Sequence, residues 1–91
     1  ADHALAIGLV NTVVPHAKLL EAARALAERI LRHSPQTIAR ILSAATRGLN
    51  VPISEGLKIE QEQFAIAARS GDTLEGLSAW IDRRSPVYSG G

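Results

Sequence analysis

Few side chains here have the types and spacing that chemistry needs. Glu60 and Glu62 come nearest to an acid–base pair. Two residues apart on a helix, they point to different sides and cannot share a substrate atom. The spacing predicts one of them buried or paired and the other solvated. Glu60 lies nearer the faces bearing Leu57 and Phe64, where a carboxylate needs an Arg or amide partner. His3, His16 and His33 are far apart, and none stands four residues from another His or a carboxylate. They read as exposed side chains near element boundaries. With no cysteine there is no disulfide, thiol nucleophile or zinc–thiolate site. No serine sits in a nucleophile elbow, and the scattered glycines form no phosphate loop. Neither a catalytic set nor a metal site is expected in this chain.

Two further groups are basic. Arg83-Arg84 follow Trp80 closely. Two guanidiniums beside an indole suit a phosphate whose attached planar ring stacks on the aromatic face. A basic pair at a helix carboxyl end is also what the macrodipole favours, and the pattern leaves both readings open. Arg24, Arg29, Arg32, Arg40 and Arg47 could line up across two helices, but acidic residues dilute them into a solvated face. Net charge is +1, which supplies no bulk field for nucleic acid or an anionic membrane.

The elements that must position these residues are helical. Ninety-one residues allow one small domain near the limit of independent stability. At 46% hydrophobic and 21% charged, with one Phe, one Tyr and one Trp, the composition suits close-packed helices. Ala4 to Ile7 reads as a helix end stopped by Gly8. Leu9 to Val14, β-branched and stopped by Pro15, reads as a short strand with no ladder partner in this chain. A helix is predicted over about Ala17 to Arg32, with Leu19, Leu20, Ala23, Leu26, Ala27, Ile30 and Leu31 on one face. Ser34-Pro35 signals the next helix, which should bury Ile38, Ile41, Leu42 and Ala45 and end at Gly48. A third long helix starts near Asn50. It carries Leu57, Phe64, Ala65 and Ala68 on one side and Ile59 and Ile66 on another, so two packing partners are expected. Asp72-Thr73-Leu74-Glu75 reads as a capping box opening a last helix that presents Leu74, Leu77, Trp80 and Ile81. Ser89-Gly90-Gly91 should fray. The expected fold class is all-α: a small bundle of about four helices with one short amino-terminal strand or extended segment.

The order of these pieces resembles the carboxyl-terminal end of the crotonase family, the enoyl-CoA hydratases and isomerases. The resemblance rests on Gly8-Leu9-Val10-Asn11, Val13-Val14-Pro15, Ser34-Pro35, Glu55-Gly56-Leu57, Glu60 and Phe64. It continues through Asp72, Glu75-Gly76, Ala79-Trp80, Arg83-Arg84-Ser85-Pro86 and Tyr88. It implies the oligomerisation part of a crotonase-like fold. Residues 1–15 would be a helix end and an extended segment leading from a missing catalytic domain, and 16–91 a helical assembly domain. The family's oxyanion amides and catalytic glutamates would lie upstream. The resemblance places Phe64 beside the acyl portion of a coenzyme A thioester, Trp80 near its adenine and Arg83 near its phosphates. The family more often has Phe and Lys at the last two positions, which keeps a stacking face and a cation but alters reach.

The function expected is therefore subunit association, as trimer or hexamer, and completion of an acyl-CoA pocket. The parent enzyme would hydrate 2-enoyl-CoA in fatty acid metabolism, with coenzyme A thioester as substrate and no cofactor in the chain itself. The competing expectation is a stand-alone helical interaction module. A nucleic-acid binder is disfavoured by the charge balance. No apolar run reaches the ~18–20 residues of a membrane span, and the acidic, polar start is unlike a signal peptide. A cytoplasmic location is expected. The chain opens without Met, which suggests a piece cut from a longer protein.

Overall fold

Local stop and start chemistry sets most element boundaries. The computed structural model describes residues 1–91. Its elements are α1 (Asp2–Ala6), a 3-10 turn (His16–Lys18), α2 (Leu19–Leu31), α3 (Pro35–Gly48), α4 (Ile53–Ala68) and α5 (Gly71–Asp82). The helix end expected at Ala4 to Ile7 is a short helix of its own, followed by Gly8 at φ +75°. The count is therefore five α-helices rather than about four.

The expected strand over Leu9 to Val14 is not formed. That segment is unpaired and bends at Leu9 and Asn11. A strand needs a ladder to satisfy its N–H and C=O groups, and no second extended segment pairs with it. Two of its amides instead turn back to α1: Leu9 N and Val10 N donate to the Ala4 carbonyl at 2.9 and 3.3 Å.

The chain divides into two units, Ala1–Ile30 and Leu31–Gly91. The first holds α1, the unpaired segment and nearly all of α2, and none of its residues is buried. In the second, α3 and α4 pack on each other. Ser34 caps α3 as expected: its Oγ accepts from Thr37 N at 3.4 Å, with Pro35 in the first turn. The α3–α4 crossing brings Gly48 and Gly56 together. A Cβ on Gly56 would stand 3.6 Å from the Gly48 carbonyl oxygen and 3.7 Å from the Gly48 Cα. At these distances an added Cβ is in ordinary van der Waals contact, so the crossing has room for a methyl group, while a longer side chain would press on the facing backbone.

The core is small. Ile59 and Ala79 are the buried apolar residues, and Ser34, Gln63 and Asp72 the buried polar ones. The apolar stripes expected to pack inside the chain instead face outward. In α2, Leu19, Leu20, Leu26, Ile30 and Leu31 are exposed, and in α3 so are Ile41, Leu42 and Ala45. Periodicity identifies a sticky face but does not say which molecule or segment covers it.

The start of α5 also departs from expectation. Asp72 and Glu75 form no capping box. Ser70 is the N-cap, with Oγ accepting from Thr73 N at 3.3 Å. That shifts the helix start two residues upstream and frees both carboxylates for other partners.

Candidate functional site

Two places in the second unit gather polar or aromatic groups at an accessible surface. The first is a groove of about 550 Å³ between α3 and α4. Helical spacing supplies its walls: Ile41, Ala44 and Ala45 from α3, with Leu49 just past its end, and Ile53, Leu57, Phe64 and Ala67 from α4. Gly48 and Gly56 let it run close to the backbone. Phe64 lies on this wall with 73% of its surface exposed.

Polar groups stand at one end of the groove: Thr37, Arg40, Glu60 and Gln63. The expectation for the carboxylate pair is corrected here, since Glu60 and Glu62 are both exposed and neither is in an ion pair. The buried polar residue of α4 is Gln63, one turn on from Glu60. Its Oε1 accepts from Arg40 Nη1 at 3.4 Å. Arg40, expected on a solvated strip, is half-buried, and its Nε has no hydrogen-bond partner within the chain. A buried donor without an acceptor carries a desolvation cost. Sequence spacing missed Arg40 and Gln63 because they belong to different helices, 23 residues apart.

The second place is the carboxyl end of α5. Trp80, Arg83 and Arg84, with Ala79 and Ile81, line one shallow depression. Trp80 is 77% exposed. Arg83 takes the left-handed conformation, φ 54° and ψ 40°. Arg83 N donates to the Trp80 carbonyl at 3.3 Å and Arg84 N to that of Ala79 at 3.0 Å, the two bonds of a Schellman motif. Glycine is the usual residue at such a turn, and an arginine there carries a conformational cost.

The structure separates the two arginines that sequence alone treated as a pair. Arg84 is committed to carboxylates. Its Nη1 and Nη2 donate to Glu75 Oε1 and Oε2 at 2.6 and 3.0 Å, and its Nε lies 3.6 Å from Asp82. No carboxylate stands within ion-pair distance of Arg83. The Arg84 guanidinium, helped by the Val87 amide at 2.9 Å, holds the Glu75 carboxyl down to about 2.

Beyond Arg84 the chain folds back along α5. Tyr88 lies over Gly76, where an added Cβ would meet the phenolic oxygen at 3.3 Å. Buried Asp72 takes the end of this return segment. It accepts from Ser34 Oγ at 2.6 Å, Ser89 N at 2.8 Å and Gly90 N at 3.1 Å. The Ser34 hydroxyl, more than the two amides, holds its carboxyl below the ordinary Asp range, against the opposing effect of burial. The expected fraying of Ser89 to Gly91 is thus corrected: this segment is tied to α5 and to the start of α3.

Of the three residues singled out by resemblance, the structure brings Trp80 and Arg83 together and sets Phe64 in the other site. No three His, Cys, Asp or Glu side chains gather as they would around a metal ion. No helix is long and apolar enough to cross a membrane.

The family model described as enoyl-CoA hydratase/isomerase matches residues 1–91. The chain is 34% identical over 90 residues to 2,3-dehydroadipyl-CoA hydratase of Escherichia coli (strain K12), covering 99% of this chain and 35% of that protein. It is 32% identical over 94 residues to carnitinyl-CoA dehydratase of Salmonella typhi, covering 99% and 36%. Among solved structures, an enoyl-CoA hydratase from Bacillus anthracis superposes on all of this chain with TM-score 0.97 at 34% identity. The chain spans about a third of the length of these relatives (35% of the Bacillus chain).

Proposed function

Because the chain belongs to the enoyl-CoA hydratase/isomerase family, we propose that it is the carboxyl-terminal helical part of such an enzyme. In this reading it joins subunits and completes an acyl-CoA pocket, and the whole protein adds water across a 2-enoyl-CoA double bond in the cytoplasm. Fatty acid metabolism is the setting that suits this substrate. The relatives named above, a hydratase and a dehydratase of CoA thioesters, both handle water at such substrates. The oxyanion hole and the acid–base carboxylates would come from residues outside this chain.

One observation carries the assembly role. Every α-helix exposes large apolar side chains, including Leu5, Leu20, Ile41, Phe64 and Trp80, while only Ile59 and Ala79 are buried apolar residues. Exposed apolar surface on this scale marks an interaction site. Sedimentation velocity over a concentration series tests this. Self-association of the 91-residue chain is expected, and a monomer at high concentration would overturn the assembly role.

The ligand role falls to Trp80 as a stacking face and Arg83 as an uncommitted cation for phosphate. Phe64 is assigned to the acyl portion, from one subunit to the next. Titrating CoA into the full-length protein should show affinity falling about tenfold or more in a Trp80→Ala, Arg83→Ala double variant, as loss of a charged contact and a stacking contact requires. Unchanged affinity would remove both residues from the site.

A further inference from the structure

The return segment after α5 reaches well beyond what a helix stop requires. A Schellman turn is complete with the two bonds at Arg83 and Arg84. Yet two α5 carboxylates, one turn apart, grip the chain that follows. Glu75 takes Arg84 and the Val87 amide. Asp72 takes the Ser89 and Gly90 amides and also the Ser34 hydroxyl at the start of α3. Between them the Tyr88 ring rests over Gly76. Arg83 sits where α5 ends and this gripped segment begins, in a backbone conformation that arginine holds only under constraint.

We propose that Asp72 and Glu75 are positioning residues for the Trp80–Arg83 face: by clasping residues 84–91 against α5 they hold Arg83 in its left-handed turn and aim its guanidinium. Neither carboxylate touches a ligand in this account. Glu75 occupies the near rung and removes Arg84 from competition, leaving one free cation beside the indole. Asp72 occupies the far rung and ties the segment to α3. It faces hydroxyls and amides, with no charged side chain within ion-pair distance. The clasp supplies the constraint that a flexible arginine on an exposed turn lacks. This inference rests on the assignment of Trp80 and Arg83 to the CoA nucleotide proposed above.

The test uses the full-length protein with Asp72→Asn and Glu75→Gln, two variants at separate rungs, so that loss of folding in one leaves the other informative. Amide hydrogen exchange reads the clasp, and titration with CoA and with pantetheine reads the face. Pantetheine lacks the adenine and the nucleotide phosphates. Exchange should quicken at Ser89 and Gly90 in Asp72→Asn and at Val87 in Glu75→Gln. CoA affinity should fall about tenfold in each, the scale of one charged hydrogen bond, while pantetheine affinity stays constant. Quickened exchange with unchanged CoA affinity overturns the proposal, and so does parallel weakening of CoA and pantetheine, which marks general loosening. Unaltered exchange overturns it as well. Arg83→Ala separates the two readings. If it weakens CoA while the carboxylate variants do not, only the positioning role fails; if it too has no effect, the nucleotide site falls and the positioning role with it.

Discussion

The α3–α4 crossing and the α5 clasp lie in the same unit but are held by opposite means. The crossing depends on shape: at Gly48 and Gly56 two backbones meet with room for a methyl but not for a bulky side chain, and few polar groups are involved beyond Arg40 and Gln63. The clasp depends on charge, with two carboxylates, one guanidinium and several amides within 2.6 to 3.1 Å. Shape-based contact is indifferent to pH and sensitive to volume. Carboxylate-based contact is the reverse. The pair teaches that a small helical unit with little buried apolar area can be ordered in two independent ways.

Acid should separate the two regions most sharply. Both carboxyls lie below their ordinary values in the folded chain, Glu75 at about 2 against 4.5 and Asp72 below 3.8. Depressed folded values mean that their contribution is fully present above the unfolded values and is lost as pH falls through the folded ones. From pH 7 down to about 5 the clasp should therefore be constant, and it should open as pH approaches 2. Amide exchange at Val87, Ser89 and Gly90 followed against pH should show this while α3–α4 amides stay protected. Simultaneous loss in both regions would mean that the crossing is not independent.

Volume should act the other way. Gly56→Leu is expected to destabilise by about 1–3 kcal/mol through overpacking against Gly48. Gly56→Ala, whose Cβ meets its neighbours at 3.6 Å or more, should be neutral or stabilising by up to ~1 kcal/mol from helix propensity. Urea unfolding measures both, and equal losses in the two variants would refute the close-approach account. Arg83→Gly is expected to stabilise by about 1 kcal/mol by relieving the left-handed arginine, while weakening CoA binding. A gain in stability without loss of affinity would make the turn purely structural. The smallest effect is expected from Phe64→Ala. With 73% of its surface exposed, Phe64 should change the unfolding free energy of dissociated chain by no more than ~0.5 kcal/mol. Self-association, measured by sedimentation, should nevertheless weaken.

Much of the fold was legible in local signals. Ser34-Pro35 and Gly48 bracket α3 because capping and termination are short-range events. Of the two apolar faces read in α4, Ile59 is buried against the chain, while Ile66, Leu57 and Phe64 stay exposed, and α3 is the helix packed on it. The site was less so. Asp72 and Glu75 have the spacing of a capping box, and nothing local says that Ser70 takes the cap and leaves both free. Arg83 and Arg84 are adjacent and chemically alike, yet only the partner nine residues back, Glu75, distinguishes them.

By itself the sequence determined the helical class, most helix boundaries, the apolar faces and the family, since these rest on periodicity, capping chemistry and the order of short motifs. Only the tertiary structure decided that Leu9 to Val14 stays unpaired, that most apolar stripes face outward, and that Ser34 and Asp72 meet across 38 residues. It also decided which arginine is free. Those outcomes depend on contacts between residues distant in the chain, where which groups pair is fixed by how the helices pack.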